Sequence, residues 1–333
     1  METRKLQKVG GGTYTVSIPK AWATAHHLEA GAPVHVYPHD DGTLVVRSTR
    51  RDEEPIESAT LALDPVGPTT VERALNAAYA AGFREVTLTA ETFTTEQRRA
   101  ASAFASTLAG AEVVSETETE ITVRNFLDSA AVSIRQAVDQ LRFLALGAHR
   151  AATADANGDD AARRERIRQR EGDVRRFLGM VTHHFARALA SLAEVDELGV
   201  ERPALFAYYR TARELAAVVR HAETVADRLD ELVGDVPPAL APSIEASAES
   251  AGDVVERGVS AVLNEAAFAD AAAIRDDADA VVERIDETRR ALYEAGDPSC
   301  YPLASVLDAL ERTAKRGGSI ADVAAGVAIR EDA

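Results

Sequence analysis

Four cations, Arg4, Lys5, Lys8 and Lys20, crowd the first twenty residues around the run Gly10-Gly11-Gly12. Backbone without side chains lets a phosphodiester come close, and lysine and arginine heads then donate charged hydrogen bonds to its oxygens. The spacing points to nucleic-acid backbone contact, with Arg47 and Arg50 as further contributors. The plainer alternative is that these charges keep an exposed strand edge from pairing with other chains. Only four lysines occur in the chain, three of them here, and 33 of its 37 basic residues are arginine.

Other reactive residues carry weaker signals. Cys300 is the single cysteine, so no intrachain disulfide or multi-cysteine metal site can form. It stands in the turn Pro298-Ser299-Cys300-Tyr301-Pro302 with no histidine nearby in sequence to activate it. No glutamate has a histidine three residues later, as a carboxylate-bridged di-iron bundle needs. Glycine-rich nucleotide loops, a G-x-S-x-G elbow and kinase signatures are missing as well. A non-enzyme with no cofactor and no catalytic residue is the expectation. His183-His184 falls beside an apolar stripe, near the edge of a packed face, and reads as structural or surface. His26-His27 ends a short helix, where protonation would suit the helix dipole. Trp22 reads as a core or dimer anchor.

The elements that must position the amino-terminal cations are short. Thr13, Tyr14, Thr15, Val16, Ser17 and Ile18 alternate, placing Tyr14, Val16 and Ile18 on one face of a strand that Pro19 stops. Pro19 is pre-set to open a helix, which Leu28-Glu29-Ala30-Gly31 closes. Val34 to Tyr37 and Leu44 to Val46 read as a hairpin turning at Asp41-Gly42. Fifty residues of this kind bury little by themselves, so dimerisation is expected.

A charged linker, residues 51–55, leads to alternating strand and helix patterns over residues 58–124. Strands are expected at 60–63, 84–90, 112–115 and 120–123, and helices at 70–81 and 95–109, closed by Gly82 and Gly110. From residue 125 the pattern is helical: 126–150, 161–193 and 205–233, then 240–265, 268–295 and 302–328. The stripe of the second helix passes through Val174, Leu178, Val181, Phe185 and Leu189. Leu205, Tyr208, Ala212, Leu215, Val219, Ala222, Ala226, Leu229 and Val233 recur at steps of three and four, a bundle seam. Leu303, Val306, Leu310, Thr313, Gly317, Ile320, Ala324 and Val327 repeat that seam 98 residues later, so two three-helix units are the economical plan.

Gly12, Ile18-Pro19-Lys20, Trp22, Leu28, Gly31 and Val34-x-Val36 resemble the AbrB/SpoVT swapped-hairpin domain, a homodimeric DNA-binding module. Ala32 departs from the acidic residue that this family usually carries after the glycine. The helical half resembles the PhoU family of phosphate-uptake regulators through Leu310-Glu311-Arg312, Ile320-Ala321-Asp322 and Val225-Ala226-Asp227-Arg228. The two together are similar to archaeal regulators of that family. What the resemblance implies is a multidomain, mainly α chain. It has a swapped-hairpin β domain at 1–50, a small α/β layer domain at 58–124, and PhoU-like three-helix repeats at 125–234 and 238–330. PhoU relatives often bind metal clusters through acids on their third helices. Here Lys315, Ser319, Arg220 and Thr224 take those positions, so no metal is expected. Glu223 and Asp227 read as a solvated acidic stripe.

Composition fits this picture. The formal charge is −17, yet residues 1–50 carry +2 and the remainder −19, a basic end on an acidic body. Acidic excess with scarce lysine suits a halophile's salt-rich cytosol, where counterion release contributes little and DNA binding must rest on base contacts and shape. No long apolar run or signal core occurs, so a cytoplasmic location without membrane insertion is expected. The function expected is a homodimeric, promoter-binding transcriptional regulator of phosphate uptake, with Arg4, Lys5, Lys8 and Lys20 on DNA. The helical body would signal through a phosphate transporter ATPase or another signalling partner. A protein-only regulator that restrains the transporter ATPase, its hairpins a dimer clamp, is the alternative. An effector site in the α/β layer is a third.

Overall fold

The computed structural model describes residues 3–10, 12–38, 42–48, 56–63, 67–153, 160–232, 236–296 and 300–331, without the side chains of 160–163, 300 and 331. Two compact units divide the chain, residues 1–54 and 55–333. Asp41, Arg50, the linker 51–55, Asn157-Gly158 and Val233 lie outside the described residues.

In the first unit β1 (Gln7–Val9) pairs antiparallel with β2 (Thr13–Thr15), and β3 (His35–Pro38) with β4 (Leu44–Arg47), as two separate two-stranded sheets. Between them α1 (Lys20–Ala25) starts after Pro19, whose φ of −59° suits a helix entrance. The strand expected over 13–18 stops at Thr15. Its ladder ends at Gln7↔Thr15, and among the described residues nothing in the chain pairs with 16–18.

The second unit opens on a four-stranded sheet of order β5-β6-β8-β7, from β5 (Ser58–Ala62), β6 (Glu85–Thr89), β7 (Ala111–Glu116) and β8 (Glu120–Asn125). β5 and β6 are parallel, joined by α2 (Pro68–Ala80), and β8 runs antiparallel to both its neighbours. α2 ends in a Schellman turn: the Gly82 N–H donates to Tyr79 O and the Phe83 N–H to Ala78 O, with Gly82 at φ +92°. α3 (Thr95–Thr107) begins with a capping box in which Thr94 and Gln97 each accept the other's backbone N–H. Val71, Leu75 and Tyr79 of α2 meet Val86, Leu88, Ile121 and Val123 of the sheet in one core.

The helical body contains α4 (Ile134–Thr153), α5 (Asp160–Ala190), α6 (Leu192–Leu198), α7 (Arg202–Asp230), α8 (Ala241–Leu263), α9 (Phe268–Ala295) and α10 (Cys300–Glu331). α4, α5 and α7 pack on one another, as do α8, α9 and α10. α10 against α7, and α4 against α8, join the two triples over a single hydrophobic core. The seam residues of α7 and α10 from Leu205 to Leu229 and from Leu303 to Ala324 are buried.

Two helix boundaries differ from the periodic pattern. Residues 126–133 are not α-helical: Asp128 accepts the Ala130 N–H to cap a short 3₁₀ helix (Ser129–Ala131), and α4 starts only at Ile134. α5 does not run to 193, because Ser191 is extended and α6 follows as a separate helix that carries Glu194 back into the interior. Leu189, placed on the stripe by its spacing, consequently lies outside the packed face and is exposed.

Candidate nucleic-acid interface

The turn between β1 and β2 uses Gly10 at φ +68°, a conformation that side-chain-bearing residues rarely adopt. Opposed residues of an antiparallel pair share a face, so Lys8 lies beside Tyr14, while Gln7, Val9, Thr13 and Thr15 occupy the other side. Arg4 and Lys5 lie on the segment entering β1, and Lys20 is the first residue of α1. All four predicted cations are exposed. Arg47 closes β4 opposite His35 and is half-buried, its guanidinium 5.9 Å from the Tyr37 ring centre. Trp22 is half-buried against His26, with ring centres 4.9 Å apart, and His27 follows at φ +54°.

None of the described residues of this unit is buried. Leu6, Val9, Tyr14, Val16, Ile18, Val36 and Leu44 all remain exposed, Leu6 at 70% and Tyr14 at 64%. Full burial of such side chains is worth roughly 1.5–3 kcal/mol each, and isolated two-stranded hairpins are marginal in water. The unit thus presents cations beside an apolar surface that its own chain leaves uncovered.

The histidines placed near a face edge are fully interior. His183 Nδ1 donates to Tyr79 O at 2.9 Å, Asn125 Nδ2 donates to His183 Nε2 at 3.3 Å, and the rings of Tyr79 and His183 stack at 4.5 Å. His184 Nδ1 lies 2.6 Å from Glu194 Oε1. Arg187 donates from Nε to Glu194 Oε2, from Nη1 to Gly82 O and from Nη2 to Glu57 Oε1. Burial pushes His183 down to about 4, against the raising effect of its bond to Tyr79. Burial would raise Glu194, but the hydrogen bonds from His184 and Arg187 prevail and hold its carboxyl at about 2. This network fastens α5 and α6 to α2 and the sheet, a structural role. The motif spacing of residues 183–184 gave no sign of α2 packing across them.

The four positions where the sequence resemblance would place acidic ligands, Lys315, Ser319, Arg220 and Thr224, are engaged in internal contacts. Lys315 pairs with Glu311, Ser319 donates to Lys315 O, Arg220 donates to Ala216 O and Thr224 to Arg220 O. Glu223 is raised by burial and then by Glu171 and Asp227 nearby. Among the described residues no group of three or more histidine, cysteine or carboxylate side chains could hold a metal ion. Cys300 is the first residue of α10, and its side chain lies outside the described residues. Among the described residues, no helix is long and apolar enough to cross a membrane.

Residues 7–54 match the family model described as antidote-toxin recognition MazE, bacterial antitoxin. The match covers the hairpin unit alone, supports a MazE/AbrB-type swapped-hairpin domain there, and is consistent with a DNA-binding regulator that dimerises. No curated protein matches the chain.

Proposed function

We propose that this protein is a homodimeric transcriptional regulator of phosphate uptake that acts by binding rather than by catalysis. Two copies join through their amino-terminal hairpins and present Arg4, Lys5, Lys8 and Lys20 twice to promoter DNA. The observation that carries this reading is a basic hairpin unit with no buried described side chain, lying within a family match at residues 7–54. A partner copy covering Tyr14, Val16 and Ile18 would supply the missing core and double the positive charge. The phosphate role rests on the likeness of the helical body to PhoU. That body shifts between packings when a phosphate transporter ATPase or another signalling partner binds it, and so alters how the hairpins meet DNA. The acidic, lysine-poor composition supports a salt-rich cytosol as its setting.

A protein-contact reading has one specific support: the matching family is described by recognition of a toxin, not of DNA. In that case the hairpins clamp protein chains, and the body restrains the transporter ATPase without DNA. Binding of phosphate-responsive promoter fragments at high potassium salt decides between the two, with a Lys5→Ala, Lys8→Ala, Lys20→Ala variant alongside. Saturable, sequence-preferring binding that the variant loses is expected. Absence of binding at every salt concentration would favour the protein-only regulator.

A further inference from the structure

One face of α5 and α7 departs from the acidic character of the rest of the body. Residues 174–190 of α5 and 202–213 of α7 include no aspartate or glutamate. Arg202, Arg210 and Arg213 are exposed there, and Arg202 and Arg210 have no carboxylate partner among the described residues. The flanking acids are engaged: Glu171 pairs with Arg175 and Glu214 with Arg316, each at 2.9 Å. Glu197 and Glu201 stand at one end, on the connection between the two helices.

Apolar groups lie among these cations. Leu189, at 75%, is the most exposed large apolar side chain among the described residues, and Phe206 is 48% exposed. The Phe185 ring stacks on Tyr209 at 4.2 Å and lies 6.2 Å from Phe206. Arg213 donates to the Tyr209 hydroxyl, its guanidinium 5.7 Å from the ring centre. Positions 202, 206, 209, 210 and 213 recur at helical spacing as one stripe of α7, and Phe185 with Leu189, four apart, continues it on α5.

The fold does not require this stripe. The α10 positions 98 residues on are Ala304, Leu307, Asp308 and Glu311, and there the two acids close on Arg289 of α9. The second triple thus satisfies the corresponding charges internally, whereas the first leaves arginines and apolar groups to an outside partner. Aromatic and arginine side chains are the ones that anchor protein interfaces.

We propose that this face docks an acidic amphipathic helix of another protein. The apolar ridge of that helix lies along Phe185, Leu189 and Phe206, and its carboxylates meet Arg202, Arg210 and Arg213. Charge complementarity selects an acidic partner, and the side chains select a peptide over a nucleic acid. Phe185 and Arg213 already occupy the Tyr209 ring, and Leu189 offers no ring on which a base could stack. The face lies within the helical body and its binding is read without DNA or phosphate, so the proposal stands apart from the reading of the hairpins.

Fluorescence anisotropy with the full-length protein and three labelled peptides tests it. The first is a helical peptide with leucine at every third or fourth position and glutamate elsewhere; the second replaces its glutamates by lysine, and the third its leucines by alanine. The first should saturate, the other two should bind at least about tenfold more weakly, and an unlabelled single-stranded oligodeoxynucleotide should not displace it. Leu189→Glu, and Arg202→Glu with Arg210→Glu, each checked for an unchanged melting curve, should weaken the first peptide by at least about tenfold. Arg290→Glu, at an exposed position of α9, should leave it unchanged. No saturation by the first peptide, equal binding of either counterpart, displacement by the oligonucleotide, or indifference to the α5 and α7 substitutions would each overturn the proposal. So would the loss of a larger oligomer from Leu189→Glu in sedimentation, which would give the face to a second copy of this chain.

Discussion

Arg187 heads the largest side chains fully buried in the body, and a guanidinium in such a place must be matched charge for charge. Glu194 and Glu57 supply the carboxylates and Gly82 O a further acceptor. Glu194→Ala should therefore destabilise the protein by about 3–5 kcal/mol, since it leaves most of that charge uncompensated. Urea denaturation measures this, and a loss below about 1 kcal/mol would mean that Glu57 alone suffices. The histidines make stability depend on pH. His183 titrates at about 4 in the fold and near 6.5 when unfolded, so the unfolded chain takes the proton first. Its contribution is complete above about 6.5 and is lost as pH falls toward 4. His221, lowered to about 4 by burial and by Arg316 and Arg312, acts in the same direction. Glu194, held at about 2, adds a further loss between about 4.5 and 2. At pH 5.0 the protein should be less stable than at pH 7.5, with His183 contributing on the order of 2 kcal/mol. Identical urea midpoints at the two values would contradict this.

At the scale of elements, α8 and α10 approach so closely that glycine is required where they cross. A Cβ on Gly317 would stand 2.7 Å from Val254 Cγ1 and 2.8 Å from Val255 N, and one on Gly258 3.0 Å from Gly317 O. Gly317→Ala should push the helices apart and destabilise by about 1–3 kcal/mol. Gly326, exposed in the same helix with nothing within 4 Å of a Cβ, gives the opposite expectation. Gly326→Ala should stabilise by roughly 0.5–1 kcal/mol, because only backbone entropy changes. Melting curves of the two variants should shift in opposite directions. Local signals made several boundaries legible: the Thr94–Gln97 box, the Gly82 stop and the alternation in α7 and α10 all appear where spacing placed them. The α5 end was not legible, since Leu189 keeps the right period and only Ser191, extended so that Glu194 turns inward, removes it from the core.

For the whole molecule, every described buried core residue belongs to the second unit. A chain beginning at residue 55 should keep its cooperative thermal unfolding, because it retains both clusters intact. Calorimetry of that truncation checks it, and a lost or broadened transition would show that the hairpin unit supports the body. The hairpin unit should behave in the opposite way, depending on a second copy. Val16→Asp, with a charge on the uncovered apolar face, should shift full-length protein from dimer to monomer in sedimentation and abolish promoter binding. A dimer that persists would place the contact elsewhere.

The sequence by itself determined the order of hairpins, α/β layer and long helices, and the exposure of Arg4, Lys5, Lys8 and Lys20 on and around a glycine-turned strand pair. These follow from period, caps and turn residues, which act over a few positions along the chain. Tertiary structure alone decided that His183 and His184 are interior, that Glu194 meets Arg187, and that Phe185 stacks on Tyr209. Those groups meet only after separate helices, adjacent or distant in sequence, have packed. Burial and charge pairing depend on which faces come together, and no spacing within one helix encodes its neighbour.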